Sequence, residues 1–221
     1  MHRFFVLMAA LVLAACGPSG DGDSAAPGTP DDRPIGQPTM VLAFGDSLFA
    51  GYNLPRSAAY PEQLELALRA KGLNVRIQNA GVSGNTSADG RQRLSFVLDS
   101  MTVKPDVALV ELGANDMLRG RSPDQARANL DAILAELKRR DIDAVLFGMR
   151  AAPNMGRDYA AKFDAIYPDL AEKYDAELVP FFIEPLIFNR KLVQRDQIHP
   201  TADGVKAMVA ASIDVVEDAV D

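Results

Sequence analysis

Cysteine, histidine and tryptophan are scarce in this chain, and each shortage excludes a class of chemistry. The 221 residues contain one cysteine, Cys16, two histidines and no tryptophan. A lone cysteine cannot form an internal disulfide, and without a dense His/Cys cluster we expect neither a bound metal nor a cofactor. Because aromatic residues make up only 7% of the chain, the stacking platforms of carbohydrate-binding clefts are not evident.

Basic residues are also a minority. The chain carries 23 Lys and Arg against 30 Asp and Glu, which gives a formal net charge of -7, and no basic stripe is present. We therefore expect no nucleic-acid partner. The short basic cluster at residues 138–140 falls at a predicted helix end, where cations suit the helix dipole.

Strand-like and helix-like segments alternate along the chain after residue 38. Apolar, strand-like runs lie at residues 40–44, 73–77, 106–112, 144–148 and 177–182, and helices are predicted at 60–72, from 122, around 158–174 and from 202. This alternation predicts one α/β domain with a parallel sheet and right-handed crossovers. Such a domain is large enough to bury a core.

Ser47 follows the first strand-like run in the sequence Gly-Asp-Ser-Leu. The serine therefore lies beyond the carboxyl end of a buried strand, where open α/β sheets place their ligand crevice. Gly45 permits a tight strand-to-helix turn that exposes the hydroxyl. This position suits a nucleophile, and it is equally an ordinary helix N-cap.

A serine nucleophile needs a base, and His199 is the histidine available in the predicted domain. Imidazole has an unperturbed pKa that suits proton transfer near neutral pH. Asp196 precedes His199 by three residues in a turn-forming stretch that ends at Pro200. Its carboxylate can reach one ring nitrogen while the other faces Ser47.

Two further strand ends supply hydrogen-bond donors for a developing oxyanion. Gly81 lies in a glycine-containing loop after the second run and can present its backbone N–H. Asn115, in the Gly-Ala-Asn-Asp sequence after the third run, supplies a side-chain amide. Each candidate also has a structural alternative: a turn glycine for Gly81, a turn before a helix for Asn115, a surface acid for Asp196 and a helix-capping loop histidine for His199.

These four segments, in this order, resemble the four sequence blocks of the SGNH (GDSL) hydrolase family. Residues 46–52, 79–84 and 148–154 are similar to its bacterial arylesterase, thioesterase and lysophospholipase branch, with Phe49 as a departure that we expect to affect only pocket shape. The resemblance implies a three-layer α/β/α, flavodoxin-like fold with a five-stranded parallel sheet. It further implies Ser47 as nucleophile, Asp196 and His199 as its partners, and an oxyanion hole formed by the backbone N–H groups of Ser47 and Gly81 and the Asn115 side chain.

The resemblance implies a serine esterase acting on a small ester or lipid-like substrate. Apolar residues at presumed loop ends favour aryl esters, short or medium acyl esters, thioesters or lysophospholipids. The alternatives are an O-acetylesterase acting on carbohydrate and a non-catalytic surface lipoprotein that binds a ligand. The oligomeric state is not evident from the sequence.

The N-terminal region is predicted to direct export. Residues 1–15 have a short basic start and an apolar stretch too short to span a membrane, and Cys16 follows. This resembles a bacterial lipoprotein signal, which implies cleavage before Cys16 and its acylation; the alternative is an ordinary export signal. Residues 16–38 contain almost no large apolar side chain and are predicted to be a flexible tether, with the SGNH domain at 39–221.

The residue after Cys16 bears on the location of the protein. It is glycine and not aspartate, which by resemblance to other lipoproteins implies release from the inner membrane. We expect a lipid anchor on Cys16 in the outer membrane, with the domain facing the periplasm, or periplasmic export if Cys16 is not acylated.

Overall fold

A computed structural model describes residues 36–221 of the chain. The predicted signal peptide, Cys16 and all but the last residues of the predicted tether lie outside the described residues. Within 36–221, no helix has the length and apolarity needed to cross a bilayer.

Five parallel strands form a single sheet in the order β2-β1-β3-β4-β5. The strands are β1 (Thr39–Gly45), β2 (Val75–Asn79), β3 (Val107–Glu111), β4 (Asp143–Phe147) and β5 (Glu177–Val179). This order confirms the predicted flavodoxin-like topology, in which ligands bind where the strand order reverses. Here the reversal lies between β1 and β3.

Helices cover both faces of the sheet and complete the three layers. They are α1 (Ser47–Ala50), α2 (Tyr60–Ala70), α3 (Ser87–Ser100), α4 (Ala114–Leu118), α5 (Pro123–Arg139), α6 (Arg157–Asp164), α7 (Ile166–Tyr174) and α8 (Ala202–Val220). Helix α2 packs on α8, whereas α5 packs on α3, α6 and α7. The central strands β1 and β3 are buried between these layers, which explains their continuous apolar sequences.

The structure corrects two predicted elements and adds one helix that was not predicted. The helix predicted around residues 158–174 is two helices, because Pro168 has no N–H to donate to the Asp164 carbonyl and α6 ends there. Strand β5 ends at Val179 and not at residue 182, since Pro180 cannot continue the ladder. Helix α3 was not predicted, because few apolar side chains mark its buried face.

Phe49 lies in the core and not in a binding pocket. Its ring stacks on Tyr60 at 5.2 Å and meets Phe147 and Phe182 edge-on at 5.2 and 5.7 Å. Phe49 is fully buried. The expectation that Phe49 shapes the pocket directly is therefore wrong. Phe49 packs beneath the α1 turn that presents Ser47.

Candidate active site

Ser47, His199 and Asp196 meet at the carboxyl edge of the sheet. His199 Nε2 lies 2.9 Å from Ser47 Oγ, and His199 Nδ1 lies 2.7 Å from Asp196 Oδ2. Ser47 begins α1 directly after β1, and the Asp46 carboxylate caps that helix by accepting the N–H of Leu48 at 3.0 Å. The geometry is a continuous hydrogen-bonded chain from a carboxylate through an imidazole to a hydroxyl.

The segment carrying Asp196 and His199 is a short loop closed by backbone pairing. Val193 and Pro200 form an antiparallel bridge, and the Gln194 N–H donates to the His199 carbonyl at 2.7 Å. Thr201, and not His199, caps α8, because its hydroxyl accepts the Gly204 N–H at 3.2 Å. The helix-capping interpretation of His199 is therefore wrong.

Asp196 is held in its ionised form. Burial opposes its ionisation, but hydrogen bonds from the His199 side chain and from the His199 and Ile198 N–H groups outweigh that effect and lower the pKa of Asp196 to about 2. Asp196 is therefore a carboxylate at neutral pH. An ionised acceptor fixes the proton of neutral His199 on Nδ1 and leaves Nε2 free to accept.

Tyr52 covers the imidazole on a further side. Its ring centroid lies 4.3 Å from that of His199 at an interplanar angle of 32°. The Tyr52 carbonyl accepts a hydrogen bond from Gln194 Nε2 at 2.8 Å, which ties it to the histidine loop. The sequence did not point to Tyr52, since it precedes His199 by 147 positions and its contact with the imidazole arises only in the fold.

The geometry does not support Gly81 as an oxyanion donor. Its N–H already donates to Asn79 Oδ1 at 2.9 Å, and the backbone of Phe49 and Ala50 packs against its Cα. Within residues 36–221, the N–H groups of Ser47 and Gly84 have no hydrogen-bond acceptor. Gly84 has φ +82°, a conformation that favours glycine, and it is three residues further along the same loop.

Asn115 lies in the pocket wall near this loop. Its Nδ2 donates to Asp46 Oδ2 at 2.8 Å and to the carbonyl of Asn85 at 3.1 Å. Both amide hydrogens therefore have acceptors in the free protein, and an oxyanion would have to share or displace the longer bond. Because Asn85 follows Gly84, the Asn115 amide and the Gly84 peptide belong to one connected region.

A buried carboxyl pair lies beneath the nucleophile. Glu111, the last residue of β3, is fully buried; its Oε2 accepts the Asp46 N–H at 3.1 Å, and its Oε1 has no hydrogen-bond partner in the described part of the chain. Burial, and secondarily the charge on Asp46, raise the pKa of Glu111 well above its usual value. The proton resides on Glu111, because Asp46 has the hydrogen-bond donors that stabilise a carboxylate.

Arg93 connects the nucleophile turn to the neighbouring loop. Its Nη2 donates to the Gly45 carbonyl at 3.0 Å, and its Nε donates to Asn85 Oδ1 at 2.7 Å. The guanidinium lies 3.9 Å above the centre of the Phe44 ring. Burial lowers the pKa of Arg93 to about 10, so the side chain stays protonated at neutral pH.

Ser47 and His199 open into a cavity of about 380 Å³. The cavity walls are mainly apolar. Arg150 also lines the cavity, and it is a charged side chain outside the group of Asp46, Ser47, Asn115 and His199. The lining residues beyond the site itself include Leu48, Ala114, Met117, Leu118, Met149, Ala152, Ile183 and Ile198. Such a cavity accommodates a small acyl or aryl group beside Ser47. Within residues 36–221 no cluster of His, Cys, Asp and Glu has the arrangement of a metal site.

The chain is similar to several known esterases. The GDSL-like Lipase/Acylhydrolase family matches residues 43–207. An arylesterase of Vibrio mimicus is 39% identical over 160 residues, which cover 72% of this chain and 79% of that protein. Thioesterase 1/protease 1/lysophospholipase L1 of Escherichia coli K12 is 40% identical over 163 residues, or 74% of this chain and 76% of that protein.

Solved structures agree with these relatives. AlinE4, described as an SGNH-hydrolase family esterase, has a TM-score of 0.72 and 56% identity, covering 85% of this chain and 99% of its own. TesA has a TM-score of 0.76 and 30% identity, with 81% and 99% covered. With the family match spanning most of the domain, this chain belongs to the GDSL-like lipase/acylhydrolase family and is a serine esterase of the SGNH type.

Proposed function

We propose that the protein hydrolyses carboxylic esters through an acyl-enzyme on Ser47. The observation that carries this proposal is the hydrogen-bonded chain Asp196–His199–Ser47 at the wall of an apolar cavity. His199 takes the hydroxyl proton at Nε2 as Ser47 Oγ attacks the ester carbonyl. The Asp196 carboxylate then stabilises the imidazolium that forms.

The remaining steps use the same groups. The tetrahedral intermediate places its negative oxygen against the N–H groups of Ser47 and Gly84 and the Asn115 amide, where Gly84 replaces the originally predicted Gly81. His199 returns its proton to the leaving alcohol, and the carbon–oxygen bond to that alcohol breaks. A water molecule, deprotonated by His199, then attacks the acyl-enzyme and releases the acid with regeneration of the Ser47 hydroxyl.

The substrates we propose are aryl esters and esters of short or medium acyl chains. The apolar cavity wall supports this class, because an acyl or aryl group buried there leaves water. The names of the relatives extend the proposal to thioesters and lysophospholipids. No structural observation favours carbohydrate O-acetyl groups or a non-catalytic binding role.

Hydrolysis of p-nitrophenyl esters from acetyl to palmitoyl tests the proposal. Residues 36–221 are a suitable unit, because the solved AlinE4 chain matches 85% of this chain over 99% of its own length. We expect turnover that peaks at short or medium chains and is lost in Ser47→Ala, together with loss of covalent labelling by a phosphonate ester. A relative, the esterase EstA, is inhibited by monoethylphosphonate. Equal turnover by Ser47→Ala and the wild type would contradict the mechanism.

We further propose that acylated Cys16 attaches the protein to the outer membrane with its domain in the periplasm. The support is the sequence pattern around Cys16. Mass spectrometry of the N-terminal peptide and membrane fractionation of Cys16→Ser test this proposal. An unmodified Cys16, or unchanged membrane association of the variant, would contradict it.

A further inference from the structure

One surface segment exposes large apolar side chains to solvent. In residues 187–195, called here the 187–195 segment, Phe188 is 98% exposed and Ile187 is 48% exposed. Burying such groups is favourable, and two neighbouring exposed apolar side chains can contribute to an interaction surface. Leu186, directly before the pair, is buried and anchors the segment to the domain.

The 187–195 segment adjoins the catalytic pocket at both ends. Ile183 precedes it and lines the cavity, and Ile198 and His199 follow it and line the same cavity. In its last part, Gln194 bonds the carbonyl of Tyr52, whose ring packs on His199. Ile198, which lines the cavity, is itself 50% exposed.

The charge of the 187–195 segment is opposite to that of the whole protein. It contains Arg190, Lys191 and Arg195 and no carboxylate, in a chain with a formal net charge of -7. All three side chains are exposed, and in the described part of the chain none forms an ion pair or a side-chain hydrogen bond. Three exposed cations in the same segment as an apolar pair suit a partner with both anionic groups and an apolar interior.

We propose that the 187–195 segment docks the domain on the surface of an anionic phospholipid bilayer. Phe188 and Ile187 enter the boundary between headgroups and acyl chains, while Arg190, Lys191 and Arg195 contact lipid phosphates. Lys and Arg can keep their charged ends among the headgroups while their aliphatic parts follow the apolar surface.

A bilayer fits this surface better than another protein does. Two exposed apolar side chains offer much less than the roughly 800 Å² per partner of a standard protein interface. A symmetric contact with a second copy would also bring like cations together. An anionic bilayer has neither problem, because a few inserted side chains together with several cations provide reversible attachment.

Docking would hold the pocket of the proposed esterase at the bilayer surface, where acyl chains are available. This consequence rests on the proposed function, but docking itself does not. Binding and catalysis can therefore fail separately, and soluble-ester turnover measured on every preparation distinguishes the two failures.

Flotation of residues 36–221 with lipid vesicles tests the proposal. We expect binding to phosphatidylglycerol-containing vesicles, weak binding to pure phosphatidylcholine vesicles, and release by salt because screening weakens attraction to the surface. Phe188→Ser and the double variant Arg190→Gln/Lys191→Gln should each lower the partition coefficient about tenfold or more. Both should retain wild-type turnover of soluble p-nitrophenyl acetate.

Phe96→Ser is the matched control. Phe96 is 76% exposed on α3, where two aspartates balance the two arginines of the helix, so its loss should leave vesicle binding unchanged. Absence of wild-type binding to the anionic vesicles, or equal losses in Phe96→Ser and Phe188→Ser, would overturn the proposal. Self-association abolished by Phe188→Ser, without vesicle binding, would overturn it in favour of a dimer.

Discussion

At the scale of single residues, the pair of Glu111 and Asp46 determines the electrostatics beneath Ser47. Asp46 caps α1 and binds the Asn115 amide, so its negative charge orients both the nucleophile turn and an oxyanion donor. Glu111 accepts the Asp46 N–H and is protonated. A neutral acid supports the Asp46 backbone without adding a second negative charge near the developing oxyanion.

Glu111→Gln should stabilise the protein at neutral pH and leave its activity largely intact. A carboxyl whose pKa is raised on folding binds more protons in the folded state, so stability falls as pH rises above the unfolded value of 4.5. The slope is at most about 1.4 kcal/mol per pH unit for one proton. Urea unfolding at several pH values should show a smaller slope for Glu111→Gln, whereas a lower stability at pH 8 would contradict a neutral Glu111.

Asp196→Asn should lower kcat by about 10²–10⁴-fold and also lower stability at neutral pH, because the ionised carboxylate stabilises the folded state. The amide would donate to His199 Nδ1 and favour a proton on Nε2, the nitrogen that must accept from Ser47. Asp203→Asn, at an exposed position on α8, is the control. Steady-state kinetics on a p-nitrophenyl ester measure both variants, and near wild-type kcat in Asp196→Asn would remove Asp196 from the mechanism.

Sequence reasoning identified the residues whose chemistry is distinctive. Ser47 and His199 stand out by residue type and by position at strand ends, and the structure brings them together with Asp196. The sequence could not distinguish Gly81 from Gly84 as an oxyanion donor. That distinction depends on which backbone N–H already has a hydrogen-bond acceptor. Glu111 was missed because the sequence alone does not show that this carboxyl at a strand end is buried beside Asp46.

At the scale of secondary-structure elements, α3 connects the loops that follow β1, β2 and β3. Its N-terminus is linked to α4, because Asp116 accepts both the N–H and the hydroxyl of Ser87 at 2.7 Å. Its middle is linked to the β1 turn by Arg93, which also binds Asn85. Because α3 lacks a strong apolar stripe, the sequence pattern did not predict it, although it positions three loops.

Arg93→Met should reduce kcat about tenfold while the fold remains intact. The variant retains an apolar contact with Phe44 but loses the hydrogen bonds to Gly45 and Asn85, so the two loops are positioned less closely. Arg91→Met, at an exposed position on the same helix, should have wild-type kinetics. A loss of thermal stability that fully accounts for the reduced activity would contradict a positioning role for Arg93.

At the scale of the whole molecule, the sheet topology was the most predictable feature. Alternating strand and helix patterns and the apolar sequences of β1 and β3 are sufficient to indicate a parallel sheet. The loops were less predictable, because their conformation depends on contacts between segments far apart in sequence. Gln194 and Tyr52 are one example, and Arg93 and Gly45 are another.

Two opposing groups of carboxyls should give the protein its greatest stability in mildly acidic solution. Hydrogen bonds lower the pKa of Glu136 to about 2. Burial raises the pKa of Asp196, but hydrogen bonds outweigh that effect and lower it to about 2. Their stabilising effect is present above their unfolded values near 4 and is lost as pH falls towards 2. Burial raises the pKa of Glu111 and Asp46, whose contribution instead weakens as pH rises.

Thermal unfolding of residues 36–221 from about pH 2 to pH 9 measures this balance, and we expect the highest midpoint near pH 5. Glu111→Gln should flatten the alkaline side of the curve and leave the acidic side unchanged. A midpoint that rises continuously to pH 9 would show that the buried carboxyl pair does not oppose folding.

The direction of β1 has a consequence for the geometry of attachment. The strand begins at Thr39 and ends beside Ser47, so the chain enters the domain at the edge opposite the catalytic edge. If Cys16 carries the anchor, the protein is attached to the membrane from the side of the domain opposite the catalytic edge. The 23 residues from 16 to 38 reach at most about 80 Å, several times the roughly 23 Å length of β1. If residues 16–38 form the predicted tether, a connection of this length would keep the domain near the bilayer while allowing the catalytic edge to face either towards the lipid or away from it.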